Sequence, residues 1–151
     1  MGGFKTDGAF PIVADNSPEG ESFRILRTLL LTDIRAGNLR VISATSPLPG
    51  DGKTTILANI AASFAKLNMS VVMIEGDMRR PTFHKRFSVP DERGLSDVLK
   101  GKCPLDDVLI PSGVPNLTLM TSGTGAADPS ELLQNSVFDE LLVALKAKFQ
   151  L

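Results

Sequence analysis

Pro49-Gly50-Asp51-Gly52-Lys53-Thr54-Thr55 brings two glycines, a lysine and two hydroxyls into one short stretch. Those residue types suit a triphosphate. Phosphate oxygens need several converging backbone N–H groups and the positive end of a helix dipole. Gly50 and Gly52 let the backbone wrap closely, because no Cβ stands in the way. Lys53 can set a compact positive charge against the β and γ phosphates, and the Thr54 hydroxyl is placed to ligate Mg²⁺. The general pattern G-x-x-x-x-G-K-S/T would put its first glycine at Pro47, so the match is imperfect. The plainer alternative is a Gly-rich turn between a strand and a helix.

A second chemical cluster follows an apolar run: Glu75-Gly76-Asp77-Met78-Arg79-Arg80-Pro81. Ligands of open α/β sheets bind at the carboxyl ends of the strands. Two carboxylates there can hold Mg²⁺ directly or through water, and one can accept the proton of an attacking hydroxyl. Gly76 between them keeps the approach open. Their plainer role is to cap the loop and pair with Arg79 or Arg80.

These residues need elements to position them. Residues 1–18 mix Gly, Pro, Asp and Asn without periodicity and read as a flexible arm. A helix is expected from Glu19 to about Arg35, with Phe23, Leu26 and Leu30 on one face and Glu21, Arg24 and Arg27 on the other. Leu39–Ala44 reads as a buried strand, Thr54–Leu67 as a helix and Val71–Ile74 as a second buried strand. Strand, glycine loop, helix, strand is one βαβ unit, which implies a parallel sheet with helices on both faces. Farther on, Gly94–Leu99 and Leu105–Ile110 read as short helices, Val114–Met120 as a third strand and Ser136–Phe149 as an amphipathic helix. The fold class is α/β, of the P-loop NTPase kind, over residues 19–151, and the chain is expected to be incomplete at its C-terminus.

Composition narrows the function. The chain has 151 residues and a net charge of −1, which argues against nucleic acid as a partner. Arg79, Arg80, Lys85 and Arg86 form a local basic exception. Cys103 is the single cysteine, so a reducing, cytoplasmic setting is the natural reading. His84, the single histidine, reads as a surface residue. There is no Tyr and no Trp.

The phosphate loop, the strand after it and the acidic-x-Asp-x-Arg-Arg-Pro segment together resemble the bacterial tyrosine kinases of capsule and exopolysaccharide synthesis. Their second signature usually begins with Asp, where this chain has Glu75; Asp77, Arg79, Arg80 and Pro81 match. Glu21, Arg24 and Arg27 reproduce the family's Glu-x-x-Arg-x-x-Arg, and Gly94–Leu99 and Asp128–Leu133 look like two more landmarks. The resemblance spans Glu19 to Leu151.

It implies an ATP- and Mg²⁺-dependent protein-tyrosine kinase of the MinD/ParA-like P-loop branch. Pro49 to Thr55 would cradle the nucleotide. Lys53 would bind and polarise the phosphates, Thr54, Glu75 and Asp77 would serve the metal, and Asp77 would be the base that activates a tyrosine hydroxyl. Glu21, Arg24 and Arg27 would meet a neighbouring subunit. A membrane-bound polysaccharide co-polymerase would activate the kinase, and that partner or a fused segment would recruit it to the inner face of the plasma membrane. The family's next acidic strand is expected just beyond Leu151 and its tyrosine-rich tail is not present, so these residues alone are expected to be inactive. The alternatives are a MinD/ParA-type positioning ATPase and a non-catalytic ATP-binding module. The former carries a second lysine where this chain has Leu48.

Overall fold

Ser17 and Pro18 start the first helix. Ser17 Oγ accepts the N–H of Gly20 at 3.0 Å, and a proline at the first helical position gives up an N–H that would have had no helical acceptor. The computed structural model describes residues 12–13, 16–125, 128–134 and 136–151. Helix α1 (Pro18–Arg35) is followed by α2 (Lys53–Ala65), β1 (Val71–Ile74), α3 (Phe83–Phe87) and α4 (Leu95–Leu99). A 3₁₀ turn (Leu105–Val108), β2 (Ile110–Pro111), β3 (Leu117–Met120), α5 (Pro129–Leu133) and α6 (Ser136–Lys148) complete the order.

β1 runs parallel to β3, with Val71 opposite Leu117 and Ile74 opposite Met120. β2 pairs antiparallel on the other side of β3, Ile110 opposite Leu119, so the sheet is mixed. The expected helix Leu105–Ile110 therefore holds only for its first turn. Gly113 at φ 82° and Asn116 at φ 65° bend the chain from β2 into β3. Pro111, which has no N–H, sits on an edge strand that can spare a donor.

Alternate residues of a strand face opposite sides of its sheet. Val71 and Met73 pack with Ala58, Ala62 and Phe64 of α2, while Val72 and Ile74 lie against a second cluster that includes Leu95, Leu141 and Leu145 of α4 and α6. Helices thus cover both faces, as the sequence implies.

Leu39–Ala44 departs from expectation, for it forms no ladder with any strand among the described residues. A cavity of about 300 Å³ is lined by Val41 and Ile42 on this segment and by Val72 and Ile74 on β1. No backbone hydrogen bond joins this segment to β1, and a strand without a paired neighbour has no ladder to make. Arg40 anchors the segment instead. Its guanidinium donates to the carbonyls of Lys146, Phe149 and Gln150 at 2.7, 2.6 and 2.9 Å. These lie at the end of α6, where carbonyls run out of helical donors. On the free edge of β1, Val72 N–H donates to Leu151 O at 2.9 Å.

Arg27 is a second correction. At about 100° per residue it falls roughly 40° from Phe23 on the inner side of α1. There it is half-buried and donates from Nη1 to the Ser63 carbonyl of α2 at 3.1 Å. Arg24 does pair with Glu21 on the outer side, where Ile25 and Leu29 are also exposed. The expected arm falls mostly outside the described residues; within them, Val13 N–H donates to the buried Asn59 Oδ1 at 2.7 Å.

After β3, the backbone clasps the start of α4. Leu95 N–H donates to Thr121 O at 2.8 Å and Ser96 N–H to Ser122 O at 3.0 Å. Gly94 is extended at φ −171°, so its conformation does not require glycine; the space does. A Cβ there would collide with the Gly123 nitrogen and the Thr121 carbonyl. Gly94→Ala is expected to lower unfolding free energy by about 1–3 kcal/mol. Gly76→Ala, whose Cβ would meet nothing within 4 Å, should cost no stability. Denaturant titration of the two variants checks this, and equal midpoints would mean that the clasp is looser than drawn.

Candidate functional site

Two glycines shape the loop ahead of α2. Gly50 at φ 90° and Gly52 at φ 87° lie in the left-handed region, which a β-carbon makes costly. Lys53 follows as the first helical residue. Its Nζ donates to Ser46 Oγ at 2.6 Å and to Leu48 O at 3.2 Å. Asp51 Oδ2 accepts the N–H of Leu48 at 3.1 Å. Lys53 and Asp51 therefore close the loop on itself. Pro49, Gly50 and Asp51 are exposed, while Gly52, Lys53, Thr54 and Thr55 are half-buried. Thr54 and Thr55 fall in the first turn of α2, where helix N–H groups lack intrahelical acceptors and the dipole is positive.

α2 packs along the sheet and leads back into β1. The phosphate loop and the carboxyl end of β1 thus share one end of the molecule. Glu75 and Asp77 emerge there into different environments. Glu75 is 4% exposed. Its Oε1 accepts the N–H groups of Thr82 and Phe83, the latter at 3.0 Å, and its Oε2 is buried without a partner. Burial pushes the Glu75 carboxyl above its ordinary 4.5; the nearby Asp91 charge adds to that, and the amides of Thr82, Phe83 and Ser122 oppose it, the last without reaching hydrogen-bond geometry on Oε2. Asp77 is exposed, and its Oδ1 accepts the N–H groups of Arg79 at 3.1 Å and Arg80 at 3.0 Å. Both acids hold backbone amides of the loop.

A divalent cation fits this end on one observation: Glu75 Oε2 is an orphaned buried acceptor. Among the described residues, no three His, Cys, Asp or Glu side chains converge to hold a metal by themselves. Mg²⁺ that arrives with a nucleotide needs fewer, because phosphate oxygens and water complete its shell.

Some residues at this end escaped the sequence reading. β3 delivers Thr121-Ser122-Gly123-Thr124-Gly125 beside Glu75, with Thr121 and Ser122 fully buried. Gly123 N–H donates to Asp91 Oδ1 at 3.2 Å. A run of small polar residues directly after an apolar strand was the available signal. His84 is half-buried rather than at the surface. Its Nδ1 lies 3.2 Å from Asp91 Oδ2, near enough to pair when charged, although the two are not aligned for a hydrogen bond.

No family model matches the chain. Similar curated proteins are the tyrosine-protein kinase ptk of Acinetobacter johnsonii, 33% identical over 129 residues, and the putative tyrosine-protein kinase CapB of Staphylococcus aureus, 32% identical over 139. These alignments take in 85% and 87% of the chain, which spans 18% of the first protein and 61% of the second. Among solved structures, the kinase domain of Escherichia coli tyrosine kinase ETK matches 94% of this chain and 57% of its own at a TM-score of 0.84 and 31% identity. The VpsO kinase domain matches at 0.72 and 32%, over 89% of this chain and 70% of its own. The septum site-determining protein MinD of Pyrococcus horikoshii, complexed with Mg-ADP, matches at 0.61 and 26%, over 74% of this chain and 46% of its own.

Because the Glu75 carboxyl is raised in the fold, the folded state holds its proton more tightly than the unfolded chain does. The resulting stability is fully present below the ordinary carboxyl value and is lost as pH rises through the folded-state value. Glu75→Gln keeps an oxygen for the two amides without the charge. It should be more stable than the parent at neutral pH and lose that advantage in acid. Denaturation at several pH values measures this, and a variant weaker than the parent at neutral pH would refute it.

Proposed function

Because this chain belongs to the bacterial tyrosine kinase family, we propose that it is the nucleotide-binding part of an ATP-dependent protein-tyrosine kinase that regulates capsule or exopolysaccharide synthesis and export. The supporting observation is the juxtaposition, at one end of the sheet, of the Lys53 loop on α2 with Glu75 and Asp77 at the tip of β1. Phosphoryl transfer asks mainly for positioning and charge neutralisation. Pro49 to Thr55 surround the phosphates, and Lys53 leaves Ser46 and Leu48 to bind them. Thr54, Glu75 and Asp77 would hold Mg²⁺, which would neutralise charge on the phosphates. As the tyrosine oxygen bonds to the γ phosphorus, the bond to the leaving ADP oxygen breaks and the hydroxyl proton passes to Asp77. Both amides fall on Asp77 Oδ1, which leaves Oδ2 for that proton, so Asp77 would serve the metal through bound water. The acceptor tyrosine comes from elsewhere, since these 151 residues contain none.

A positioning ATPase is the weaker reading. The likeness to MinD is lower than to the kinase domains, and the position of that branch's second lysine is taken by Leu48, whose carbonyl accepts from Lys53. For self-association we favour the outer side of α1, where Glu21 and Arg24 stand with exposed Ile25 and Leu29, and where Arg27 acts from within by fixing α1 on α2. No helix among the described residues is long and apolar enough to cross a membrane. The proposed membrane-bound co-polymerase would supply recruitment.

Lys53→Ala is expected to weaken binding of a fluorescent ATP analogue by about tenfold or more without altering the circular dichroism spectrum. Unchanged affinity would remove the basis of the proposal.

A further inference from the structure

We propose that Arg79, Arg80 and Lys85 form a recognition patch for acidic side chains next to the acceptor tyrosine of a protein substrate. This rests on the kinase reading above and adds a substrate class to it.

The first observation is how cations are used across the molecule. Arg27, Arg40, Arg93, Lys100, Lys102 and Lys148 each meet a carbonyl or a carboxylate. The side chains of Arg79, Arg80 and Lys85 meet neither among the described residues, and all three are exposed; Arg35 and Lys146 share that state, but only Arg79, Arg80 and Lys85 are gathered in one segment. Exposed Arg86 adds a further positive charge to the same segment. In a chain whose net charge is −1, this concentration sets up a local field that attracts anions.

The second observation is that the patch is held in place. Asp77 takes the amides of Arg79 and Arg80, and Glu75 takes those of Thr82 and Phe83. The acids nearest in sequence are therefore engaged by backbone, which leaves the guanidinium groups available. A fixed backbone also lowers the ordering cost of binding.

Position and chemistry select the ligand. The patch begins immediately after Asp77 at the nucleotide end of the sheet, so a chain presenting a hydroxyl to Asp77 would pass beside it. Guanidinium groups bind carboxylates through paired hydrogen bonds. A membrane surface is disfavoured, since basic surface segments that insert in lipid carry large apolar residues among their charges. The exposed large apolar residues here, such as Ile25, Leu29 and Val143, all lie outside residues 77–93.

The test compares two short fluorescent peptides with a central tyrosine, one flanked by glutamates and one by glutamines, binding to the intact chain. The glutamate peptide should bind about tenfold more tightly, and the preference should shrink as salt rises from about 50 to 300 mM. The combined variant Arg79→Gln, Arg80→Gln, Lys85→Gln should lose the preference while binding the fluorescent ATP analogue as the parent does. Equal binding of both peptides, or a preference that survives in the variant, would overturn the proposal. So would a variant that loses nucleotide in step with peptide, or binding to phosphatidylserine vesicles with none to peptide. A parent chain that fails to bind the ATP analogue would instead sink the kinase reading, and the two failures are read separately.

Discussion

The parallel register of β1 on β3 is the constraint on which the rest of this structure depends. Val71 to Ile74 lie opposite Leu117 to Met120, and Glu75 N–H carries the ladder one step further by donating to Met120 O at 2.9 Å. Parallel pairing makes both strands discharge their loops at the same end, where α2 also begins. A slip of one residue would exchange Val71 and Met73 for Val72 and Ile74 between the two cores. It would also turn the Glu75 side chain away from the amides that it holds. Packing on both faces thus fixes the position of a polar group that belongs to neither core.

At that end the acids have a structural occupation. Glu75 and Asp77 between them hold the amides of Arg79, Arg80, Thr82 and Phe83. Burying the Glu75 carboxylate is costly, because water is replaced by fewer donors. The two amides offset part of that cost, and Oε2 remains without a partner. Glutamate has one CH₂ more than aspartate, which helps its carboxylate reach amides beyond Pro81. The phosphate loop has a comparable economy, since Lys53 satisfies Ser46 and Leu48 from its own flank.

The clasp between α4 and the turn after β3 ties the neighbouring wall together by backbone hydrogen bonds. Gly94 and Gly123 let two backbones approach within hydrogen-bonding range, and Asp97 Oδ2 accepts the Gly94 N–H at 3.1 Å. The Gly-Leu-Ser-Asp segment thereby explains its composition physically. The glycine makes room, the leucine enters the core and the aspartate caps.

Local patterning in the sequence was enough to place α1, α2, β1 and α6 nearly to the residue, because each is a self-contained apolar period with recognisable ends. The phosphate loop was legible for a similar reason: Gly50, Gly52 and Lys53 act through backbone freedom and charge at adjacent positions. Whatever depends on a distant neighbour was not legible. Leu39–Ala44 has the composition of a strand, but a ladder needs a partner alongside, and in the tertiary structure Val72 of β1 bonds to Leu151 instead. Ile110–Pro111 has little strand character and becomes one because β3 lies within reach. Arg27 looked like a solvent charge until Ser63 of α2 offered a carbonyl. The chain's own chemistry determined where the helices, β1 and the glycine turn ahead of α2 form; the tertiary structure decided which edges find partners, because hydrogen bonds and desolvation are settled by residues far apart in sequence.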